Sequence, residues 1–166
     1  MSTDAIVFLK DDHKEIKKLF KDFRAAGPNA TATKGKIVTK IIAALTRHTY
    51  IENEGMYPQI RELAPDLEDD ILESYEEHHV ADLLVMELVA MSAGDERFDA
   101  KTTVLIENVE HHITEEEDEW FPKVREQLSR KQLQEIGEHL VELKKKAPTT
   151  PAQPSALKKT IDAIVK

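Results

Sequence analysis

The fold of this chain is decided by the stretch HTYIENEGMYP at residues 48–58, which recurs as HITEEEDEWFP at residues 112–122. In both copies a glutamate follows the histidine by four residues, and an aromatic residue and a proline close the stretch. Residues four apart lie on the same face of an α-helix, one turn from each other. Each copy therefore predicts a helix that presents a histidine and a carboxylate on one face: His48 with Glu52, and His112 with Glu116.

A second set of matching residues lies upstream of the repeated stretch. Asp12-His13 and Glu77-His78 are 65 residues apart, close to the 64 residues that separate the two copies above. Such internal self-similarity indicates a duplicated structural unit. The sequence predicts two helical hairpins, each with a histidine on its first helix and His-x-x-x-Glu on its second.

Apolar residues recur at helical spacing in four long segments, which predict helices over about residues 4–26, 33–55, 66–92 and 99–120. Gly27-Pro28 and Gly94-Asp95 are expected to end the first and third helices. The second helix should end near Gly55, before Pro58, and Pro122 should close the fourth. Four such helices arranged as two antiparallel hairpins predict an all-α fold class.

The C-terminal part adds a fifth helix near residues 129–146, with Ser129 as its N-cap and three lysines in its last turn. Residues 1–146 are therefore interpreted as the bundle with its additional helix. Residues 147–166 are interpreted as a proline-rich linker and a short amphipathic tail, whose apolar stripe is Leu157, Ile161 and Ile164.

Composition limits the classes of function. The chain has 166 residues and a net charge of −9, which argues against nucleic acid or an anionic membrane as a partner because both would be repelled. It has no cysteine, so disulfides, iron–sulfur clusters and thiolate zinc sites are excluded. The first residues contain neither a basic leader nor a small-residue cleavage site, and no stretch reaches membrane-spanning length, so a cytoplasmic protein is expected.

The two hairpins bring their histidines to similar depth. Each histidine lies 13 to 16 residues from the connection of its own hairpin, counting from Gly27, Thr33, Gly94 or Asp99. Four imidazoles and two carboxylates then converge inside one bundle, where the carboxylates would repel each other and lose their hydration. Two iron ions bridged by the carboxylates would remove this cost, and imidazole with carboxylate suits iron.

Several neighbouring residues remain alternatives or are assigned to the surface. On the third helix the repeat favours His78, while His79 lies on the apolar stripe Leu72, Tyr75, Leu83 and Met86 and stays the alternative ligand. The remaining histidines and acids near the motifs are interpreted as surface residues: His111, His139, Glu115, Glu117 and Glu119.

These motifs together resemble the hemerythrin-like, or HHE cation-binding, family. The matching segments are residues 12–16 (DHKEI), 48–58, 76–78 (EEH) and 112–122. The resemblance covers roughly residues 4 to 145. It implies an up-down antiparallel four-helix bundle with two non-haem irons, joined by an oxo or hydroxo bridge. The ligands that it implies are His13, His48, Glu52, His78, His112 and Glu116.

The chain departs from the oxygen-carrying members at one ligand. Those proteins use a fifth histidine from a His-x-x-x-His pair on the third helix, whereas Ser74 and Tyr75 stand four residues before His78 and His79. His79, Tyr50 or Tyr75 is expected to fill or line the vacant position. Peroxide decomposition, with a peroxide or diatomic ligand, is therefore favoured over reversible oxygen carriage. A non-catalytic module that binds or senses oxygen or iron is the alternative.

Overall fold

The computed structural model of the chain describes residues 3–151, and this part is built from helices and their connections. Its α-helices are α1 (Ala5–Ala25), α2 (Thr31–Ile51), α3 (Tyr57–Leu63), α4 (Glu68–Val89), α5 (Phe98–Glu115), α6 (Phe121–Gln127) and α7 (Arg130–Lys146). Helix α1 pairs with α2, and α4 pairs with α5, as the two predicted hairpins require. The all-α bundle and its additional C-terminal helix are confirmed.

Side-chain caps fix the beginnings of the first and last helices. The Asp4 carboxylate accepts hydrogen bonds from the backbone N–H groups of Ile6 and Val7, at 2.8 and 3.1 Å. Ser129 and Gln132 form a reciprocal capping box at the start of α7, so the predicted N-cap is confirmed. Both caps satisfy N–H groups that have no partner within the helix.

The second and fourth helices do not end where the sequence predicts. A π-helical turn, Glu52–Met56, joins α2 to α3, and a second one, Glu116–Trp120, joins α5 to α6. The helical path therefore continues past Gly55, Pro58 and Pro122. Proline lacks an N–H and its ring clashes with the carbonyl four residues earlier in a regular helix, but a π-turn widens that spacing. Both prolines then lie in the first turn of the next helix, where proline is tolerated.

Two apolar clusters pack on either side of a layer of buried polar residues. We call it the polar layer; it contains His13, His48, Glu52, His78, His112 and Glu116. One cluster contains residues from the start of α1, from α3, α6 and α7, and from the segments next to α3 and α6. It includes Leu9, Ile51 and Ile60. The other fills the opposite end of the bundle and includes Ile16, Leu45 and Leu105. Along α1 and α2, the polar layer falls between the two clusters. The fold therefore encloses it in apolar packing.

Helix α7 lies against α1 and the first π-turn. At Gly137 a Cβ atom would come within 1.8 Å of the Thr3 carbonyl oxygen, so the absence of a side chain permits this close approach. The predicted tail stripe of Leu157, Ile161 and Ile164 lies outside the described residues. No helix in residues 3–151 has an apolar stretch long enough to cross a membrane.

Candidate metal centre

The six residues implied as ligands lie together in the polar layer. Helices α1, α2, α4 and α5 each supply one histidine, and each π-turn begins with one of the two glutamates. None of the six is more than 5% exposed. These residues are His13, His48, Glu52, His78, His112 and Glu116.

Glu52 reaches two pairs of histidines with its two oxygens. Its Oε1 lies 3.0 Å from His48 Nε2 and 3.9 Å from His13 Nε2. Its Oε2 lies 3.1 Å from His78 Nε2. One carboxylate therefore spans the His13–His48 pair and the His78–His112 pair.

Glu116 spans the same two pairs from the opposite hairpin. Its Oε2 lies 3.3 Å from His13 Nε2, and its Oε1 lies 3.5 Å from His112 Nε2. We call the space between His13, His48 and the facing glutamate oxygens the first position. The corresponding space beside His78 and His112 is the second position. Both carboxylates direct one oxygen to each position.

The donor atoms at the first position fit a cation. Four buried atoms there form no hydrogen bond with the described residues: His13 Nε2, His48 Nε2, Glu52 Oε1 and Glu116 Oε2. Leaving a buried polar group unpaired costs about 1–3 kcal/mol. A cation would satisfy all four atoms at once, since ligand atoms of these residues lie within 4.8 Å of one another. A second converging set is Glu52, His78 and His112.

Each histidine of the first position is oriented by an outer carboxylate. His48 Nδ1 lies 3.3 Å from Asp12 Oδ2, and His13 Nδ1 lies 3.0 Å from Glu117 Oε1. When Nδ1–H donates to such an oxygen, Nε2 is left as the ligand nitrogen. The interpretation of Glu117 as a solvated surface residue is therefore wrong, because its carboxylate turns inward to His13.

The second position has a similar outer layer. His112 Nδ1 lies 3.4 Å from Glu77 Oε2, and His78 Nδ1 lies 2.7 Å from the amide oxygen of Asn53. All four imidazoles thus have an outer oxygen at Nδ1 and turn Nε2 inward. Sequence reasoning missed this layer, although its residues stand directly beside the predicted ligands along the chain.

The tyrosine at the centre is Tyr57, a residue that the sequence analysis did not select. Its fully buried hydroxyl donates to Glu116 Oε1 at 2.7 Å and lies 3.3 Å from both Glu52 Oε2 and His78 Nε2. The signal for it was present in the repeat, where Tyr57 matches Phe121. The phenol oxygen faces the second position.

The contacts of Tyr75, Tyr50 and His79 bear on the expectation that one of them fills or lines the vacant position. The Tyr75 hydroxyl donates to the backbone carbonyl of Asn53 at 3.3 Å. Tyr50 packs, partly buried, against the apolar cluster. His79 is half-buried and does not belong to either converging set of ligand atoms, whereas His78 does.

Buried charges perturb the titration of the cluster. Burial by itself would lower the pKa of His48, but the charges of Glu52 and Asp12 outweigh it and raise this pKa to about 10. Burial and the neighbouring charge of His112 lower the pKa of His78. Burial, with the negative charges of Glu116 and Glu52, raises the pKa of Tyr57 well above its usual value. The buried carboxylates thus favour positive charge at the first position.

A cavity of about 80 Å³ reaches two residues of the second position. Its inner wall includes His112 and Glu116, and Trp120 also lines it. Its outer wall is mainly acidic and carries Asp70, Glu73, Glu77, Glu115 and Glu119 together with Lys123. A small solute in this cavity would therefore contact two of the six implied ligands.

Comparisons with known proteins agree with this architecture. The sequence model described as the hemerythrin HHE cation binding domain matches residues 4–124. An uncharacterised hemerythrin-like protein of Schizosaccharomyces pombe is 24% identical over 146 residues, which cover 87% of this chain and 70% of that protein. The crystal structure of a hemerythrin HHE cation binding domain-containing protein from Mycobacterium kansasii has a similar fold. Its TM-score is 0.72 at 22% identity, over 86% of each chain. The chain belongs to the hemerythrin HHE cation-binding domain family.

Proposed function

We propose that this protein holds two iron ions in its polar layer and uses them to decompose hydrogen peroxide. His13 and His48 would bind the iron of the first position, and His78 and His112 that of the second. Glu52 and Glu116 would bridge the two ions. Dioxygen and nitric oxide are further small ligands that the same centre could take.

The observation that carries the proposal is the way each carboxylate spans both histidine pairs. A glutamate that served one ion would direct both oxygens to one pair, or leave one oxygen in water. Here Glu52 directs Oε1 to His48 and Oε2 to His78. Glu116 divides its oxygens in the same way. Two ions placed side by side would use all four oxygens.

The donor set supports iron in particular. Four imidazoles and two carboxylates offer nitrogen and oxygen without sulfur, which suits iron among the transition metals. Calcium and magnesium prefer oxygen ligands alone. Structural zinc sites are usually closed by four ligands around one ion, whereas this layer provides six residues around two adjacent positions.

Tyr57 supports peroxide chemistry over oxygen storage. Two bound irons would supply the two-electron exchange by which two molecules of hydrogen peroxide become two of water and one of dioxygen. The phenol oxygen of Tyr57 faces the second position, and the third helix has no histidine four residues before His78 or His79. As an anionic oxygen donor, Tyr57 would favour the ferric state, while reversible oxygen binding needs the ferrous state. The Tyr57 hydroxyl can also hold a proton beside Glu116.

The acidic cavity supports a small, uncharged substrate. Its volume of about 80 Å³ exceeds the roughly 10–15 Å³ that a cavity needs to hold one water molecule, so hydrogen peroxide fits. The surrounding carboxylates would repel anions such as superoxide and leave neutral peroxide unaffected.

An oxygen electrode tests the proposal. The iron-loaded protein should evolve dioxygen when hydrogen peroxide is added, and Glu52→Ala should lose this activity because one bridge is removed. His139→Ala is the matched control, since His139 lies exposed on α7. A stable adduct with dioxygen that reverses when oxygen is removed, without peroxide consumption, would favour the carrier or sensor function instead.

A further inference from the structure

The outer residues that orient the four histidines follow a regular order along the chain. Asp12 and Glu77 each stand directly before the first histidine of a hairpin. Each contacts the second histidine of its own hairpin: Asp12 contacts His48, and Glu77 contacts His112. These two contacts are equivalent under the duplication, and both use a carboxylate.

The other two outer contacts cross between the hairpins. Asn53 and Glu117 each stand directly after a bridging glutamate. Each contacts the first histidine of the opposite hairpin: Asn53 contacts His78, and Glu117 contacts His13. These two contacts are not equivalent, because Asn53 offers a neutral amide oxygen where Glu117 offers a carboxylate. Among the four histidines, His78 alone is oriented by an amide.

We infer that Asn53 is a positioning residue that weakens metal binding at the second position, so that the two ions bind in order. The inference rests on the proposed two-iron centre. A carboxylate that accepts Nδ1–H makes the imidazole a stronger donor at Nε2, and outer contacts of this kind change metal affinity by roughly 10- to 100-fold. The neutral Asn53 oxygen gives His78 less of this effect, so the first position should fill before the second.

Nearby cations do not cancel the difference. Lys17 and Lys144 bind the outer carboxylates of the first position, Glu117 and Asp12 respectively. Both ammonium groups lie beyond these carboxylates and are partly exposed to water, which screens their charge. The oxygen that bonds directly to Nδ1 dominates the donor strength of each imidazole. Tyr57, which matches Phe121 in the repeat, also faces the second position. It is unchanged in both exchange variants, so the comparison of each variant with the wild type does not depend on it.

Reciprocal exchange of the two unequal residues tests this inference. The full chain is titrated anaerobically with ferrous iron alone, and the two stepwise dissociation constants are measured by calorimetry. The wild type should show two separated steps. Asn53→Asp should strengthen the weaker step by about 10-fold or more, and Glu117→Gln should weaken the tighter step by a similar factor. Each substitution should bring the two dissociation constants closer together: Asn53→Asp lowers the larger constant, and Glu117→Gln raises the smaller one.

The outcomes separate this inference from the proposed function. Equal affinities in the wild type, or an unchanged or weakened second step in Asn53→Asp, would overturn the role of Asn53 while leaving the two-iron centre intact. A wild-type chain that binds fewer than two ions would contradict the proposed function itself. If Asn53→Asp fails to fold, Glu117→Gln decides alone, because Glu117 is partly exposed and tolerates a neutral isostere. An unchanged tighter step in that variant would then overturn the inference.

Discussion

Glu52 and Glu116 are buried carboxylates whose contacts with Tyr57 leave part of each group unsatisfied. One oxygen of each has no hydrogen bond with the described residues, and two imidazole nitrogens share this condition. Retaining four such atoms side by side is costly unless a ligand completes them. At the scale of single residues, the site is therefore organised for cations, and individual substitutions should distinguish ligands from neighbours.

The third-helix histidines provide the sharpest comparison. His78→Ala should lose one of two bound irons, because His78 Nε2 lies 3.1 Å from Glu52 and faces the second position. His79→Ala should retain both irons, since His79 lies outside the converging ligand atoms. Iron content after gel filtration checks this prediction. Equal loss in the two variants would show that His78 is no ligand.

Tyr57→Phe tests the phenol with a single-atom change. Phe121 occupies the equivalent place in the repeat and stacks on His13 with ring centroids 5.9 Å apart, so a phenyl ring is compatible with this packing. The variant should fold and retain iron, while the visible absorption of an iron-bound phenolate should disappear. The same absorption in wild type and variant would exclude Tyr57 as a donor.

At the scale of elements, the π-turns explain why helical spacing along the sequence does not place Tyr57 beside Glu52. In a regular helix, a residue five positions after Glu52 would point about 140° away from it. The π-turn absorbs one extra residue, so that Tyr57 N–H donates to the Glu52 carbonyl and the two side chains meet. The duplication predicted the six converging residues: the repeated His-x-x-x-Glu motif gives four of them, and the matching upstream histidines, His13 and His78, give the other two. Helical periodicity could not predict the residues beyond that motif.

Other differences between the sequence-based predictions and the structure also lie at the π-turns. Pro58 and Pro122 indicate a helix end in any regular helix, but the preceding π-turns accommodate them. Glu117 belongs to an acidic run whose pattern is typical of a solvated face, but it lies in the second π-turn and its carboxylate contacts His13. The repeat favoured His78 over His79, because a duplicated position constrains helix phase more tightly than apolar spacing, and His78 lies in a converging set of ligand atoms.

The docking of α7 makes a prediction about stability. Gly137→Ala should lower the free energy of unfolding by about 1–3 kcal/mol, because the added Cβ would overlap backbone atoms at Thr3 that cannot rotate away. Gly27→Ala is the control, since nothing lies within 4 Å of its Cβ position and its backbone is not left-handed. Urea unfolding of the metal-free chains measures both. Equal stabilities would contradict the close packing of α7 on the N-terminal segment.

At the scale of the whole molecule, charge and access act together. The chain carries a net charge of −9, and carboxylates line the cavity that reaches two residues of the second position. An acidic entrance concentrates cations and can accelerate their arrival by roughly 10- to 1,000-fold at low salt. The same feature that repels anions should therefore assist iron loading.

The rate of ferrous iron uptake should fall as ionic strength rises from 10 mM to 1 M, because the screening length shrinks from about 30 Å to about 3 Å. Glu73→Gln combined with Glu119→Gln should slow uptake several-fold at low salt, since both residues line the cavity. Glu96→Gln is the matched control in the connection at the other end of α4. Stopped-flow uptake rates that are independent of salt would argue against electrostatic guidance.

Diffraction from crystals of the iron-loaded protein, recorded at the iron absorption edge, tests the two-iron centre most directly. The expected result is two anomalous peaks per chain, one beside His13 and His48 and one beside His78 and His112, with Glu52 and Glu116 between them. A single peak in the polar layer would contradict the bridged centre. So would iron bound only at the surface group of Glu77, His111 and Glu115.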